Sequence, residues 1–497
     1  MLSTSEIRQF ITDDSTSERK IQAKVGQRYY EAEHDILQYR MFFYNSDGKL
    51  TEDKVRANNR ICHPFFTELS DQLSAHILSF KENPIRAKEN VEGLQEHLDT
   101  YFDERFWSVI GELISGAYNK GFDYIYAYQS KENRLAFQYA DGLGVVEVRA
   151  KDTDDGCEYI IYWYIDRIDK GKKPIKRIQV WSEKETYYYV QSGASGKILL
   201  DDSVELNPRP HIVYTDEKTG KRMGYPLGYI PFFRLDNNRK QFSGLKPIKG
   251  LIDDYDLMQC GLSNNLADFD TPLHVVKGYQ GNNLDELQQN LKTKKIVGVD
   301  EEGGIDVKTI DVPYQARQAK AADDERNIYK FGMGLNTYGL KDMAATTNLG
   351  IQSAYTLLNM KADNLQQKQL NPLLKEVVKI VLAEINSENE TDYQLSDIFF
   401  DFKRNPIVNE TENIANEKIK AETKQLEVNT ILNVAANVGD EQTLKAICSV
   451  MDWDFDELKD QIEKLQEEQN NATAKATLNN VDPVEPTPEP PNPDGEE

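Results

Sequence analysis

The sequence predicts a multidomain α+β chain, on three observations. Apolar residues recur at helical spacing through much of the first 120 residues and again from residue 248 onward. Between them, residues 122–213 break into short runs rich in Tyr, Val, Ile and Trp, separated by turn clusters. The chain has 497 residues, enough for roughly three domains and a sizeable core.

Taken in order, residues 1–14 are expected to be loose. Ser15-Thr16-Ser17-Glu18 then caps an amphipathic run through Ile21, Val25, Tyr29, Ile36 and Leu37. In 58–80, Phe65, Phe66, Leu69, Leu73, Ile77 and Phe80 step by three or four, predicting a helix that starts at Pro64. A third helix is expected over 94–120, ended by Gly121. Residues 122–213 should give six or seven antiparallel strands, whose many Tyr side chains pack half-buried.

The stretch 228–278 joins a Pro-marked strand, a basic turn, a long amphipathic helix over 248–269 and a returning strand. Ile248, Leu251, Ile252, Tyr255, Met258, Leu262, Leu266 and Phe269 share one face of that helix. After the strand LHVVKG (273–278) come a short helical LDELQQNL (284–291) and a hairpin around Glu302-Gly303-Gly304. A helix that is polar on all sides follows at 314–331, then a loop with four glycines at 332–350. Residues 350–386 read as helix with a kink near Leu370–Asn371, because Pro372 lacks the N–H a regular turn needs. IFFDF (398–402) reads as a strand and 410–469 as acidic helices. The proline- and acid-rich tail from Asn470 has the composition of a disordered segment.

Composition excludes several classes of function. The chain is 39% hydrophobic and 29% charged, with no apolar run near the ~20 residues a membrane helix needs. No secretory signal is visible, so cytoplasmic synthesis is expected. Four scattered cysteines (Cys62, Cys157, Cys260, Cys448) form no CxxC and read as reduced thiols. A net charge of −24 argues against tight nucleic-acid binding by bulk charge.

Catalytic signatures are missing: there is no GxxxxGK[ST], GxSxG, HExxH or complete GxGxxG. The six histidines are dispersed and read as satisfied or surface groups. Asp152–Gly156 mimics a calcium loop, but its Gly comes one position early and Trp163 stands where a bidentate Glu is needed, so a turn is expected. Asp253, Asp254 and Asp256 read as acids favoured near a helix N-terminus. No metal, cofactor or catalytic residue is expected. Arg234, Arg239, Lys240, Lys246 and Lys249 form a basic cluster holding one acid, Asp236. It could meet phosphate, an acidic neighbour, or only water. Lys341, with Asn336, Thr337, Tyr338 and Asp342, is the second candidate for weak DNA contact. The competing function is an enzyme or small-ligand binding protein built on 122–213, with His211, Asp166 and Tyr162 as the residues to test.

The order of these pieces resembles the portal proteins of tailed double-stranded DNA bacteriophages, of the type found in long non-contractile-tailed phages. RYYEAEHDIL (28–37) resembles the family's Tyr-Tyr-x-Gly-x-His-x-Ile-Leu segment, with Ala32 where Gly is usual. NNRICHPFFTELSDQLSAHILSFKENPI (58–85) resembles its Asn-Asn-Arg motif and the helix after it. Gly116–Tyr128 resembles a small-residue step into a strand, and 228–269 resembles a Gly-x-Ile-Pro … Asn-Asn … Leu-Ile-Asp-x-Tyr pattern.

The resemblance implies a homo-oligomeric ring, usually of twelve subunits, at one capsid vertex. Its parts would be a wing (1–243), stem helices (244–272 and 314–331) and a clip (273–313). A tunnel loop (332–350), a kinked helix with a strand returning to the wing (351–404), a crown (405–469) and the acidic tail (470–497) complete it. It further implies a non-enzymatic virion protein, assembled in the host cytoplasm, through which DNA is packaged and ejected. Asn336, Thr337, Tyr338, Lys341 and Asp342 would face that DNA without reading its sequence. Lys292, Lys294, Lys295, Asp300, Glu301 and Glu302 would dock the terminase large subunit and later the head–tail adaptor. Major capsid and scaffolding proteins are the other implied partners, with no membrane.

Overall fold

The structure, a computed structural model, describes residues 1–54, 56–151, 156–168, 174–193, 196–215, 222–269, 273–279, 299–308, 314–336, 348–404 and 410–464, the last without 452, 456–457, 460 and 463. It divides into two compact units, Met1–Ile407 and Val408–Glu497.

In the first unit the chain starts with a helix, Thr4–Thr16, where a loose end was expected. Ser3 and Glu6 form a reciprocal capping box there, satisfying two orphan N–H groups. Ile7 then buries against Val146, Val148, Ile161 and Ile178 of the sheet. Phe10 and Ile11 pack beside Ile7 at helical spacing, so this short apolar stripe was the signal missed in an otherwise polar segment. Ser17 caps the next helix, Glu18–Tyr30. This helix crosses Glu104–Lys120 closely: a Cβ on Gly26 would lie 1.9 Å from the Asn119 carbonyl oxygen. Phe65–Ile77 begins at Pro64 as expected. The expected helix over 94–120 is two helices, Leu94–Tyr101 and Glu104–Lys120, because Asp103 recaps the chain by accepting the Phe106 N–H at 2.9 Å.

Among the described residues, nine antiparallel strands occupy 122–215, where six or seven were expected over 122–213. They divide between two sheets and a hairpin. Phe232–Asp236, Phe122–Gln129 and Leu135–Ala140 form a three-stranded sheet in that order. A larger sheet runs Ile198–Leu200, Glu185–Ser192, Pro174–Trp181, Cys157–Ile168 and Val145–Arg149, with Arg209–Pro210 beside Glu185–Ser192. The step from helix to sheet explains Gly116. Asp123 is fully buried and binds Lys120, the Tyr139 hydroxyl and the Gly142 N–H. A Cβ at residue 116 would sit 1.7 Å from its carboxylate.

The long helix Lys249–Phe269 packs against Tyr314–Gly332. Between them in sequence, Leu273–Tyr279 pairs antiparallel with Val299–Lys308. Gly304 lies opposite Lys277, so Glu302-Gly303-Gly304 sits inside a strand and not at the expected hairpin turn. Gly304 keeps ordinary strand backbone with open space around it, so its presence required no turn. The expected helix 284–291 lies outside the described residues, as do Asp152–Asp155 of the acidic turn.

The kink takes a specific form. Helix Asn348–Leu365 widens into a π turn, Gln366–Leu370, before Asn371–Asn389. The wide turn ends two residues before Pro372, which has no N–H to give the carbonyl one turn back. Ile398–Phe400 returns to pair with Ile85–Ala87. The core joins Leu69, Leu73, Ile110, Leu113, Ile114, Val377, Val378 and Val381 with Ile248, Ile252 and Ile328. In the second unit, Glu410–Val438 and Asp440–Met451 meet at Gly439, whose φ of 94° ends the first helix.

Candidate functional site

Three segments that carried the resemblance meet at one carboxylate. Asp256, on the long helix, is fully buried. It accepts from His34 Nδ1 at 2.6 Å, from His63 Nδ1 at 2.7 Å and from the His63 N–H at 2.9 Å. Burial works to raise its pKa, but the two imidazole hydrogen bonds prevail and hold it below the usual value.

Asp256 is the first rung of a ladder. Down the same helix, Cys260 Sγ lies 3.2 Å from the Ile61 N–H and Asn264 Oδ1 accepts the Asn59 N–H at 2.6 Å. Asp268 Oδ1 accepts the Ala57 N–H at 2.9 Å. Rungs four residues apart on a helix rise roughly 6 Å. Alternate residues of an extended chain rise roughly 6.6 Å. The two periods nearly match, so side chains at 256, 260, 264 and 268 can satisfy the donors of residues 63, 61, 59 and 57. The extended segment before Pro64 thus binds to a helix where a strand would bind to a sheet.

A charged collar surrounds the first rung. Tyr29 stacks on His34 with centroids 4.5 Å apart and donates its hydroxyl to Asp253. Burial and Asp253 push the Tyr29 pKa well up. Lys249 holds Asp35 and Asp253, each at 2.7 Å, and Arg28 adds a bond to Asp35 at 2.8 Å. Burial opposes ionisation of Asp35, yet Lys249 and Arg28 bring its pKa down to about 2. On another side, Lys320 of the second helix bridges Asp254 (2.6 Å) and Asp324. Asp253, Asp254 and Asp256 therefore each have a specific partner, which replaces the helix-dipole reading. His34 and His63, dispersed in sequence and read as satisfied or surface groups, are satisfied by the same carboxylate. The missed signal was the polar stripe Asp256, Cys260, Asn264, Asp268 beside the apolar one.

The same region fixes the start of the loop at 332–350. Gln72 donates to the Leu335 carbonyl and accepts its N–H, both at 2.9 Å. Lys361 Nζ donates to the Gly332 carbonyl at 2.9 Å and stands 4.0 Å over the Tyr118 ring. Asn336 Nδ2 donates to Glu325 at 3.0 Å. Thr337, Tyr338, Lys341 and Asp342 lie outside the described residues.

The basic cluster separates. Arg234 binds Glu147 and Asp236, and Lys249 belongs to the collar. Arg239, Lys240 and Lys246 are exposed, with Lys246 Nζ 3.2 Å over the Phe242 ring. Asp300, Glu301 and Glu302 lie in strand Val299–Lys308, Glu302 exposed; Lys292, Lys294 and Lys295 are outside the described residues. Of the competing trio, Asp166 pairs with Arg177 at 3.1 Å and Tyr162 packs among Tyr126, Tyr164 and Phe232. His211 lines a separate cavity. The four cysteines are free thiols, and no cluster among the described residues has the make-up of a metal site. No helix among them is long and apolar enough to cross a membrane.

The model of the family described as phage portal protein, SPP1 Gp6-like, matches residues 9–475. The chain belongs to the phage portal protein family. It is similar to the portal protein of Bacillus phage SPP1, 24% identical over 344 residues, which is 69% of this chain and 66% of that one. It is also similar to the portal protein of Clostridium phage phiCD119, 23% identical over 409 residues, covering 78% and 84% of the two chains. The match to the SPP1 protein thus spans just under two thirds of that relative's length. Portal proteins are structural components of the phage capsid and not enzymes, which sets aside the catalytic reading of residues 122–213. Three of the four resembling segments supply the ladder and collar, and the fourth supplies the Gly116–Asp123 step.

Proposed function

We propose that this portal-family chain assembles into a closed ring at one capsid vertex, through whose channel DNA is packaged and ejected. The match of the family over residues 9–475 carries this reading. Residues 1–243 are its wing, 244–272 and 314–331 its stem, 273–313 its clip, 332–350 its tunnel loop and 405–469 its crown. The kinked helix and its return strand (351–404) support the loop. Twelve subunits, docking of the terminase large subunit and then the head–tail adaptor at the clip, and contact with capsid and scaffolding proteins belong to the same reading. So does loose passage of DNA past residues 336–342.

Physical considerations support it. A channel wall must resist sideways load, and the ladder ties the long helix to an N-terminal segment along four rungs. Helix 314–332 has few buried side chains, as a helix facing a wet channel should. A strongly acidic chain repels DNA overall, which favours sliding over gripping. Electron microscopy of purified protein tests the reading. Closed rings with an axial hole are expected, and a stable monomer at high concentration would overturn it. Lys341→Ala should impair packaging while rings still form; loss of rings instead would make the loop an assembly element.

A further inference from the structure

Setting aside catalysis leaves an unexplained feature in the Tyr-rich region. Beside strand Arg209–Pro210 is a cavity of about 140 Å³ walled by Tyr126, Tyr128, Trp181 and Tyr188. An adjoining cleft of about 620 Å³ shares Gln129 and Arg209 with it. Two atoms of the inner wall are buried without a hydrogen-bond partner: Thr186 Oγ1 and His211 Nε2. His211 lies against Trp181, ring centroids 5.8 Å apart and 22° from parallel. Its Nδ1 accepts the Leu227 N–H at 3.2 Å, so the neutral ring carries its proton on Nε2. Burial keeps that ring neutral, lowering its pKa against weaker pulls from the Ser182 backbone and Glu185. The inner cavity therefore offers an unused hydroxyl, and an imidazole N–H that the Ser182 backbone holds at most weakly, between aromatic faces. Buried polar groups left this way cost free energy that a ligand can recover.

Among the described residues, the outer cleft has the opposite sign to the molecule. Lys131, Arg209 and Arg222 line it against one acid, Glu205, which pairs with Arg222. Arg209 is half-buried and forms no ion pair among the described residues. In a chain with 83 acidic and 59 basic residues, a half-buried guanidinium with no carboxylate partner among the described residues needs a reason.

We propose that this paired cavity and cleft bind a small aromatic anion. Its flat ring enters between Trp181 and the tyrosines, and its ring acceptor takes the His211 proton. Its anionic group reaches Arg209 and Lys131. Size agrees, since an apolar cavity of about 150 Å³ accepts one six-membered ring. A nucleoside monophosphate and an aromatic carboxylate share this chemistry, and the assay separates them. The proposal is independent of ring formation by the chain.

Ligand-observed NMR and calorimetry on the full chain would use thymidine monophosphate, phenylacetate, and inorganic phosphate as the ring-free control. Saturable binding of one or both aromatic anions at about 1 mM or tighter is expected, with phosphate alone weaker. Thymidine monophosphate alone would assign a phosphate source and phenylacetate alone a carboxylate source; either supports the site. Arg209→Ala should weaken binding about tenfold or more. Thr186→Val, nearly isosteric, should change ring affinity while leaving the dependence on salt intact. If Arg209→Ala does not fold, Lys131→Ala at the exposed rim replaces it, with a smaller loss expected. Absence of saturable binding up to about 10 mM, or equal affinities for wild type and the cleft variants, overturns the proposal.

Discussion

Replacing Asp256 with Asn tests whether the ladder's first rung sets the stability of the joint. The wild-type carboxylate is fully buried and accepts three hydrogen bonds, two from imidazoles. The amide oxygen can keep the His63 N–H. The amide nitrogen cannot accept from His34 Nδ1, so that ring must lose its bond or move its proton to Nε2. His34 Nε2 is itself buried without a partner, so the second course leaves a bare donor in the interior. A hydrogen bond to a charged group contributes about 1.5–3 kcal/mol. The expected loss is therefore about 2–4 kcal/mol for Asn and about 3–5 kcal/mol for Ala, which also empties the site. For a unit of this size that corresponds to a fall of very roughly 2–6 °C in Tm. The pH dependence sharpens the test. The pKa of Asp256 is lowered on folding. Its contribution is thus present above the unfolded carboxylate value of about 3.9 and lost as pH falls through the folded value. Calorimetry should show a large wild-type–variant gap at pH 7 and a narrower one near pH 3.5. An equal or wider gap at the lower pH, or no loss at pH 7 in a folded variant, would refute the argument.

Three further outcomes follow from single positions. Ala32 has a φ of 58°, a left-handed conformation that costs L side chains about 1–2 kcal/mol. Ala32→Gly should therefore raise stability by about 0.5–1 kcal/mol after the added unfolded-state entropy, and a lower denaturant midpoint would contradict this. Gly116→Ala drives a methyl group to within 1.7 Å of the buried Asp123 carboxylate, which is held by Lys120, Tyr139 and Gly142. A loss of about 3 kcal/mol or insoluble protein is expected, and normal melting would mean the step is free to relax. Burial lowers the Lys361 pKa to about 7. The fold thus favours the neutral amine, and wild-type stability should rise between about pH 7 and pH 10.5. Lys361→Met should stabilise at pH 6 by about 1–3 kcal/mol and lose that advantage by pH 10; a pH-independent difference would exclude the titration.

Much of the fold was legible because it follows from local patterns. Pro64, Gly121 and Pro372 each act through backbone chemistry that needs no tertiary context, and they start, end and bend a helix where expected. The failures have equally physical causes. Helix Thr4–Thr16 rests on the short stripe Ile7, Phe10 and Ile11 and a capping box, signals that a polar, terminal segment made easy to pass over. The strand through Glu302-Gly303-Gly304 is held by pairing with Leu273–Tyr279, a long-range partner that overrides the turn preference of Gly-Gly. The candidate site was the least legible part. His34 and Asp256 are 222 residues apart, and nothing in either segment names the other. Both had ordinary local readings, a satisfied histidine and an acid near a helix start, and only tertiary contact names the partner.

The four rungs are not interchangeable, and that fixes how the helix can move. A slip of the extended segment by two residues along the helix would preserve the spacing, because the two periods nearly match. It would also set Cys260 opposite His63 and take from the buried Asp256 carboxylate two of its three hydrogen bonds, leaving only His34. A thiol is a weak acceptor, and under-paired buried carboxylates are costly, so the register is held by charge rather than by shape. The collar adds a second lock, since Lys249 must stay within reach of both Asp35 and Asp253. The long helix can therefore pivot with its N-terminal partner or separate from it, but it cannot ratchet past it. Any rearrangement of the joint should move residues 28–37, 57–63 and 249–268 as one body. Strain would fall instead at Gly332–Asn336, where Gln72 and Lys361 hold the backbone by three neutral or weakly charged bonds. Hydrogen exchange at Leu335 faster than at His63 is the signature of that division of strength.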